Sequence, residues 1–138
     1  DNQSQSGRGV LRGLHYQMGE HAQSKLVRVI KGSVYDVAVD IRKGSPSFGK
    51  YFGAILSEEN GLQMFIPRGF AHGFLVLEND TIFSYKCDNF YHKEAEGGII
   101  WNDPRIAIDW NFPFSEIMLS EKDTVLPDLE NCLNDFVY

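Results

Sequence analysis

The sequence has 138 residues, of which 43% are hydrophobic and 23% charged, as in an ordinary globular domain. We expect one domain over residues 1–138 and no membrane partner, because no apolar run reaches the ~20 residues of a membrane helix. The formal net charge of -6 excludes a generally basic surface for nucleic acid, so an anionic ligand requires a local positive patch.

Short strands recur along the chain. Residues 1–9 are polar and indicate a loop, whereas the following pattern predicts strands at 10–17, 25–30, 34–42, 51–56, 62–67, 71–77, 81–87, 99–101 and 106–110. Leu129, Cys132, Leu133 and Phe136 have the spacing of an amphipathic helix that covers the sheet. The sequence therefore predicts an all-β antiparallel sandwich or barrel with a short C-terminal helix, whose mouth can hold one ligand.

The first predicted strand carries a polar cluster. Arg12, His15 and Gln17 lie in a segment that otherwise has the pattern of a buried strand, which suggests a polar cavity beside it. Because side chains alternate along a strand, Arg12 and His15 should point to opposite faces unless Gly13 marks a bulge that redirects one of them. The simpler alternative is a half-exposed strand whose His15 is merely hydrogen-bonded.

A second motif follows in the middle of the chain. Pro67, Gly69 and His72 match the P-x-G-x-x-H pattern of the second cupin motif, whose family fold is a jelly-roll barrel. A metal-dependent cupin would use as ligands His15, Gln17, Glu20 and His72. The first cupin motif normally supplies H-x-H, however, and Gln17 occupies the place of the second histidine. An amide is a weak substitute, so we predict no metal site.

Segments along nearly the whole chain resemble one family, in the family's order. They are LRGLHYQ (11–17), KLV (25–27), VAVDIR (37–42), SPSFG (45–49), IPRGFAHGF (66–74), WNDP (101–104) and LSEKD (119–123). In these segments the sequence is similar to the dTDP-4-dehydrorhamnose 3,5-epimerases, metal-free cupins of the pathway to dTDP-L-rhamnose. The resemblance implies a cofactor-free isomerase that acts on a dTDP-linked 4-keto-6-deoxy sugar.

The chemistry of such a substrate defines the groups that a site must provide. The hydrogens on C3 and C5 are both adjacent to the C4 carbonyl, so each can be removed with formation of an enolate. Inversion requires a base on one face of the ring, an acid on the other and a positive group or donor for the oxyanion.

The resemblance assigns these catalytic roles to four residues. His15 is the base, and Asp123 orients its ring and stabilises the imidazolium. Lys25 stabilises the enolate oxygen, and Tyr85 returns the proton. Tyr91 is the rival for the acid.

The same resemblance implies a set of substrate-binding residues. Arg12 contacts the diphosphate, for which a planar guanidinium is suited, and His72 donates a hydrogen bond to the sugar. Further contacts are implied for Glu96, Lys122 and Asn2.

Each catalytic assignment has a structural alternative. Lys25 could be an edge-strand charge that deters pairing between sheets. Tyr85 could be a core aromatic on the same face as Phe83. Asp123 could simply cap the turn before the last helix.

Cellular context and assembly are also expectations. Cys87 and Cys132 lie far apart without a pairing motif, which favours free thiols in a reducing compartment, and no signal-like segment is present, so we expect a cytoplasmic protein. The resemblance implies a homodimer. Family members carry a segment before the point where this chain begins at Asp1, and we expect it to be missing here.

The activity itself has several alternatives. Relatives that epimerise only C3 or only C5, and keto-isomerases, share much of this pattern. A cupin that binds a sugar nucleotide without turning it over, and a metal-dependent cupin, are the alternatives outside this chemistry.

Overall fold

The computed structural model describes residues 1–138, most of which form strands and their connections. The strands are β1 (Asn2–Ser6), β2 (Leu11–Gln17), β3 (Lys25–Lys31), β4 (Ser33–Asp40), β5 (Tyr51–Ser57), β6 (Gln63–Ile66), β7 (Phe70–Val76), β8 (Thr81–Cys87) and β9 (Glu96–Gly98). One α-helix, α1 (Glu121–Thr124), follows near the C-terminus. Short 3-10 turns lie at Gly19–His21, Lys93–Ala95 and Phe114–Glu116. None of the helices is long and apolar enough to cross a membrane.

The strands form two antiparallel sheets. One sheet has the order β1-β8-β3-β6 and the other the order β5-β4-β7-β2-β9. The strands pair β1 with β8, β2 with β7, β3 with β6 and β4 with β5. This pairing of first with last strands is that of an eight-stranded jelly roll, so the predicted all-β jelly-roll fold is confirmed.

Two apolar cores hold the sheets in place. One fills the space between the sheets, where β4 contributes Val34 and Ala38 and β8 contributes Phe83. The other lies on the outer face of the five-stranded sheet, where Val37 and Val39 of β4 pack under the chain that follows β9. Because alternate residues of β4 enter different cores, the strand is buried on both faces.

The polar N-terminal segment is a strand rather than the predicted loop. Residues 2–6 pair with β8 from Asn2 opposite Tyr85 to Ser6 opposite Thr81. The polar composition misled the prediction because β1 lies at a sheet edge, where exposed polar side chains are tolerated and backbone pairing holds the strand.

The strands predicted at 99–101 and 106–110 are absent. Ile99 still exchanges backbone hydrogen bonds with Leu14, but the chain then covers the outer core without forming a ladder. Trp110 is buried there and its indole donates to the carbonyl of half-buried Trp101. These apolar runs thus cover a sheet rather than extend one.

The amphipathic helix predicted through Leu129, Cys132, Leu133 and Phe136 is wrong. The only helix in this part of the chain is α1, further upstream. Leu133 is 75% exposed, and the backbone of the last residues bonds to Lys43 in a short parallel bridge. Pairing with the loop after β4 satisfies the carbonyl of Phe136 and the N–H of Tyr138, and a turn at Asp128 holds the start of the segment.

Candidate active site

A cavity of about 420 Å³ opens between the two sheets. Only five of its sixteen lining residues are hydrophobic, so it is suited to a polar ligand. All nine residues predicted from the sequence line it: Asn2, Arg12, His15, Lys25, His72, Tyr85, Glu96, Lys122 and Asp123. Their individual roles stay predictions.

A bulge at Gly13 places Arg12 and His15 beside the same cavity. Arg12 pairs with Phe74 and His15 with His72, so two residues of β2 oppose one residue of β7 between them. Gly13 has a φ of 119°, a conformation that side-chain-bearing residues rarely adopt. The predicted bulge therefore removes the conflict created by strand alternation.

A buried carboxylate holds the imidazole of His15. Nε2 of His15 lies 2.6 Å from Oδ1 of Asp123, and the Gly13 N–H donates to Oδ2 of Asp123 at 3.1 Å. Burial alone would raise the pKa of Asp123, but the hydrogen bonds from His15 and Gly13 lower it overall. Because an ionised carboxylate only accepts, Nε2 of His15 is the donor and Nδ1 of the neutral ring keeps a lone pair.

Asp123 does not act as a helix cap. Ser120 is the N-cap of α1, and its hydroxyl accepts from the Asp123 backbone N–H. The Asp123 side chain is instead directed to β2, with only 1% of the residue exposed. The capping alternative is therefore wrong.

A second imidazole and carboxylate meet on the same side of the five-stranded sheet. Nε2 of His72 lies 2.8 Å from Oδ1 of Asp36, and both residues are buried. His72 lies on β7 directly opposite His15 on β2. The cavity is thus bordered by two histidines, each bonded to its own aspartate.

Lys25 provides a half-buried ammonium. Its strand, β3, lies between β8 and β6, so the edge-strand alternative is wrong. The Lys25 side chain has no hydrogen bond or salt bridge within the chain, and Nζ lies 5.8 Å from the centre of the Tyr85 ring. Burial lowers the pKa of Lys25, and the charges of Cys87, Asp36 and Glu96 partly oppose that shift.

Two tyrosines border the cavity at different depths. Tyr85 lies half-buried on β8, where it packs against Phe83 at 6.1 Å between ring centres. Burial raises the pKa of Tyr85, which keeps its phenol protonated. Tyr91 is 60% exposed in the loop after β8, and its pKa is raised by partial burial and by Glu96.

Charged groups form one rim of the cavity. Nζ of Lys122 lies 2.6 Å from Oε1 of Glu96, which joins α1 to β9. Burial alone would raise the pKa of Glu96, but Lys122 lowers it overall, and Glu96 in turn raises the pKa of Lys122. Arg12 and Asn2 are exposed and line the cavity from β2 and β1.

The structure does not bring together the four ligands of the metal-dependent alternative. Glu20 is exposed, lies outside the cavity lining and approaches His21. The amide oxygen of Gln17 accepts from the His92 backbone N–H. No cluster of three or more histidine, cysteine or acidic residues has a geometry that could hold a metal ion.

Several features of the site went unrecognised in the sequence. The most important is Asp36, because its contact with His72 depends on the register of β4 against β7. Its position on the polar face of a strongly alternating strand was the available signal. Other lining residues that were not predicted as part of the site are Tyr16, Gln23, Phe74, Cys87 and Ser120.

Comparisons with known proteins give one consistent result. The family model of dTDP-4-dehydrorhamnose 3,5-epimerase matches residues 1–131. The Escherichia coli K12 protein of that name is 56% identical over 133 residues, which are 96% of this chain and 71% of the relative.

Solved structures agree with the sequence comparison. The dTDP-6-deoxy-D-glucose-3,5-epimerase of Legionella pneumophila, solved with dTDP-4-keto-L-rhamnose, is 52% identical with a TM-score of 0.90, over 94% of this chain and 68% of that one. A double mutant of a 3′-monoepimerase from Streptomyces bikiniensis, solved with dTDP, is 32% identical with a TM-score of 0.87. That match covers 94% of this chain and 64% of the other.

Proposed function

Because the chain belongs to the dTDP-4-dehydrorhamnose 3,5-epimerase family, we propose that it inverts C3 and C5 of a dTDP-linked 4-keto-6-deoxy sugar without a cofactor. One observation carries the proposal. A carboxylate-bonded imidazole, an ammonium without a salt-bridge partner and a phenol border one cavity between the sheets. Proton removal, charge stabilisation and proton return require these three kinds of group.

The first step is removal of a proton next to the carbonyl. Nε2 of His15 is occupied by Asp123, so Nδ1 is the nitrogen that takes the proton from C3 or C5. The electron pair of the broken C–H bond moves to the C4 oxygen as the enolate forms. Asp123 stabilises the resulting imidazolium and keeps the ring oriented.

The second requirement is a positive group for the enolate oxygen. The ammonium of Lys25 has no salt bridge to break before it contacts the substrate, and its half-buried surroundings lower its pKa. An electrostatic contact is stronger in such surroundings than in bulk water. This property supports Lys25 as the group that stabilises the oxyanion.

The last step returns a proton to the opposite face of the ring. Tyr85 is the better-placed acid, since its ring adjoins Lys25 whereas Tyr91 lies exposed at the rim. The Streptomyces bikiniensis double mutant changes a histidine and a tyrosine that lie 70 positions apart. His15 and Tyr85 have the same separation, which supports their pairing as base and acid.

Binding of the nucleotide diphosphate involves the rim. The Arg12 guanidinium is exposed and able to form two parallel hydrogen bonds with phosphate oxygens. Lys122 and Glu96 are paired in the free protein, and Asn2 lies on the edge strand β1. We assign these residues, together with His72, to substrate binding.

Solvent exchange tests the proposal directly. Incubation with the 4-keto sugar nucleotide in heavy water should place deuterium at C3 and C5, and the product should have both centres inverted by NMR. His15→Ala should abolish incorporation, whereas His21→Ala, outside the cavity lining, should retain it. Tight dTDP binding without any exchange would instead identify a binding protein.

Epimerisation at C3 alone is the alternative with a specific observation in its favour. The Streptomyces bikiniensis relative is a 3′-monoepimerase with the same fold. Deuterium at C3 only would establish epimerisation at C3 alone. Deuterium at C5 only would establish epimerisation at C5 alone. A product with its carbonyl moved to C3 would indicate a keto-isomerase.

The homodimer stays a prediction from the resemblance, and the cytoplasmic location stays a prediction from the unpaired cysteines and the lack of a signal-like segment. Light scattering of the purified chain measures the first, and fractionation of the producing cells measures the second. The absence of nucleic-acid and membrane partners likewise stays a prediction.

A further inference from the structure

The carboxylate of Asp36 is buried with an incomplete set of hydrogen bonds. None of the residue is exposed, Oδ1 bonds to Nε2 of His72, and Oδ2 has no partner. A buried carboxylate with one neutral donor is strongly unfavourable, whereas a net-neutral pair of carboxylate and imidazolium costs less. The surroundings of Asp36 therefore favour a positively charged partner.

The ring of His72 is the group positioned to carry that charge. It is 6% exposed and lies beside two aromatic rings, with centre separations of 6.2 Å to Phe74 and 6.5 Å to Phe83. Lys25 is the other cation whose charge Asp36 influences, but the two form no salt bridge. The hydrogen bond to His72 is the direct contact that Asp36 makes through its side chain.

The pair formed by His15 and Asp123 provides the contrast. Asp123 accepts a backbone N–H from Gly13 in addition to the imidazole, so both of its oxygens are hydrogen-bonded. A neutral His15 leaves that carboxylate adequately satisfied, which a base requires. Asp36 has no such second donor. This difference favours a neutral His15 that can act as a base and a charged His72.

The donor chemistry of the ring leads to the same distinction. If Nε2–H of His72 donates to Asp36, a neutral ring has only a lone pair at Nδ1 and cannot donate to a carbonyl oxygen. With a proton on both nitrogens the ring donates in both directions. We propose that Asp36 is a positioning residue that keeps His72 an imidazolium, whose Nδ1–H is a second cationic donor to the substrate's C4 oxygen.

This inference rests on the proposed function and adds no proton transfer to it. When His15 removes the C–H proton, the electron pair moves to the C4 oxygen, and His72 and Lys25 stabilise the negative charge by hydrogen bonding. His72 keeps its proton throughout. The role differs from that of His15, whose Nδ1 gains one.

Nitrogen NMR of the histidine-labelled full chain tests the charge state without substrate. We expect two protonated ring nitrogens for His72 at pH 7, and a neutral ring in Asp36→Asn, which keeps the size of the side chain. In turnover, Asp36→Asn should lower kcat about tenfold to hundredfold with KM changed less than threefold, since the lost interaction develops with the oxyanion.

Asp40→Asn is the matched control. Asp40 is the other buried aspartate of β4, but it bonds to Arg42, Ser45 and Ser47 and lies outside the cavity lining. This variant should keep wild-type kcat and the His72 spectrum below its melting temperature. A neutral His72 ring in the wild type at pH 7, or an unchanged ring in Asp36→Asn, would overturn the proposal.

The two readouts separate this inference from the proposed function. If the wild type exchanges no deuterium into the sugar, the proposed function fails, and the NMR spectra still decide the charge of His72. If the wild type turns over and Asp36→Asn matches it in kcat, the inference fails and the epimerase proposal stands.

Discussion

Asp123 and His15 lie 108 positions apart in the chain, yet the side chain of one holds the ring of the other at 2.6 Å. The carboxylate also accepts the Gly13 N–H from the bulge of β2. The Asp123 carboxylate therefore holds the bulged backbone that turns His15 toward the cavity. It also fixes the tautomer of the His15 ring. The four-residue helix α1, capped by Ser120, positions it.

Replacing Asp123 with asparagine tests this relationship. The amide preserves size but cannot stabilise an imidazolium by charge and can select the wrong ring tautomer. By analogy with the triads of hydrolases, in which this change costs about 10⁴ in kcat, we expect a loss of at least ~100-fold. Steady-state kinetics and the rate of deuterium incorporation measure it.

Glu121→Gln on the same helix is the control, because Glu121 is exposed and its side chain has no partner. It should match the wild type. A full rate in Asp123→Asn would show that the carboxylate contributes to folding alone.

Replacing Lys25 should make the fold more stable and the enzyme less active. Burial lowers its pKa, which means that the folded state penalises the ammonium. Below that lowered pKa the charged lysine destabilises the fold, and the penalty shrinks as pH rises from that value toward the unfolded pKa of about 10.4. Lys25→Met should therefore raise the free energy of unfolding at pH 7 by about 0.5–2 kcal/mol while lowering kcat about 10²- to 10³-fold.

Urea unfolding and turnover of the same samples check both effects. The comparison variant is Lys86→Met. Lys86 lies next to Cys87 on β8, and the Lys86 side chain is 63% exposed and pairs with Asp1. Lys86→Met should change neither the free energy of unfolding nor kcat appreciably. A destabilised Lys25→Met with normal kcat would contradict the assigned role.

The sequence predicts best where local pattern and tertiary environment agree. The strand at Thr81–Cys87 has the predicted bounds, because turn residues precede it and its alternation persists to the end. The segment after Leu129 shows the opposite case. Its apolar spacing fits a helix, but the chain uses it to cover a sheet and to pair with Lys43.

The features of the site also fall into those that the sequence could predict and those that it could not. The bulge at Gly13 could be anticipated from two polar residues in conflicting positions on β2. The contact between Asp36 and His72 could not, because it depends on how β4 aligns with β7. The pattern of residues within a strand does not reveal the register between β4 and β7, and the family resemblance assigned no role to Asp36.

Tyr85 and Tyr91 can be distinguished by separating exchange from inversion. In Tyr85→Phe, His15 can still remove a proton and return it to the same face, so deuterium enters substrate without inversion. We expect inverted product to fall at least ~100-fold. Tyr91→Phe should remain near wild type, and NMR of the sugar protons follows both processes. The reverse ranking would make Tyr91 the acid.

Asp40 should give the fold a pH-dependent contribution. Burial alone would raise its pKa, but hydrogen bonds from Arg42 and the two nearby serines hold it well below the usual range. A carboxyl with a lowered pKa stabilises the folded state above its unfolded pKa of about 3.9, and the contribution disappears as pH falls toward the folded value.

Asp40→Asn should therefore cost roughly 1.5–3 kcal/mol at pH 7, a difference that shrinks as pH falls below about 4. Urea unfolding across this range measures it. Exposed Asp135→Asn should cost less than about 0.5 kcal/mol throughout. A difference for Asp40→Asn that is equal at pH 7 and pH 2 would exclude the ionised carboxylate as its source.

Gly13 should link the backbone of β2 to the chemistry of His15. A Cβ atom there would lie 2.7 Å from both Cα of Gly73 and the backbone oxygen of His72, in a conformation with φ of 119°. We expect Gly13→Ala to cost roughly 2–5 kcal/mol of stability, from backbone strain and overpacking together. In the protein that still folds, kcat should fall about 100-fold, because small displacements of a base are costly.

Gly44→Ala isolates the backbone contribution to that cost. Gly44 also has a positive φ, of 85°, but a Cβ atom there would meet nothing within 4 Å. The variant should therefore lose only about 1–2 kcal/mol and retain full activity. The difference between the two alanine variants measures the close approach of β2 to β7. If Gly13→Ala were no less stable and no less active than Gly44→Ala, the bulge would not be what positions the base.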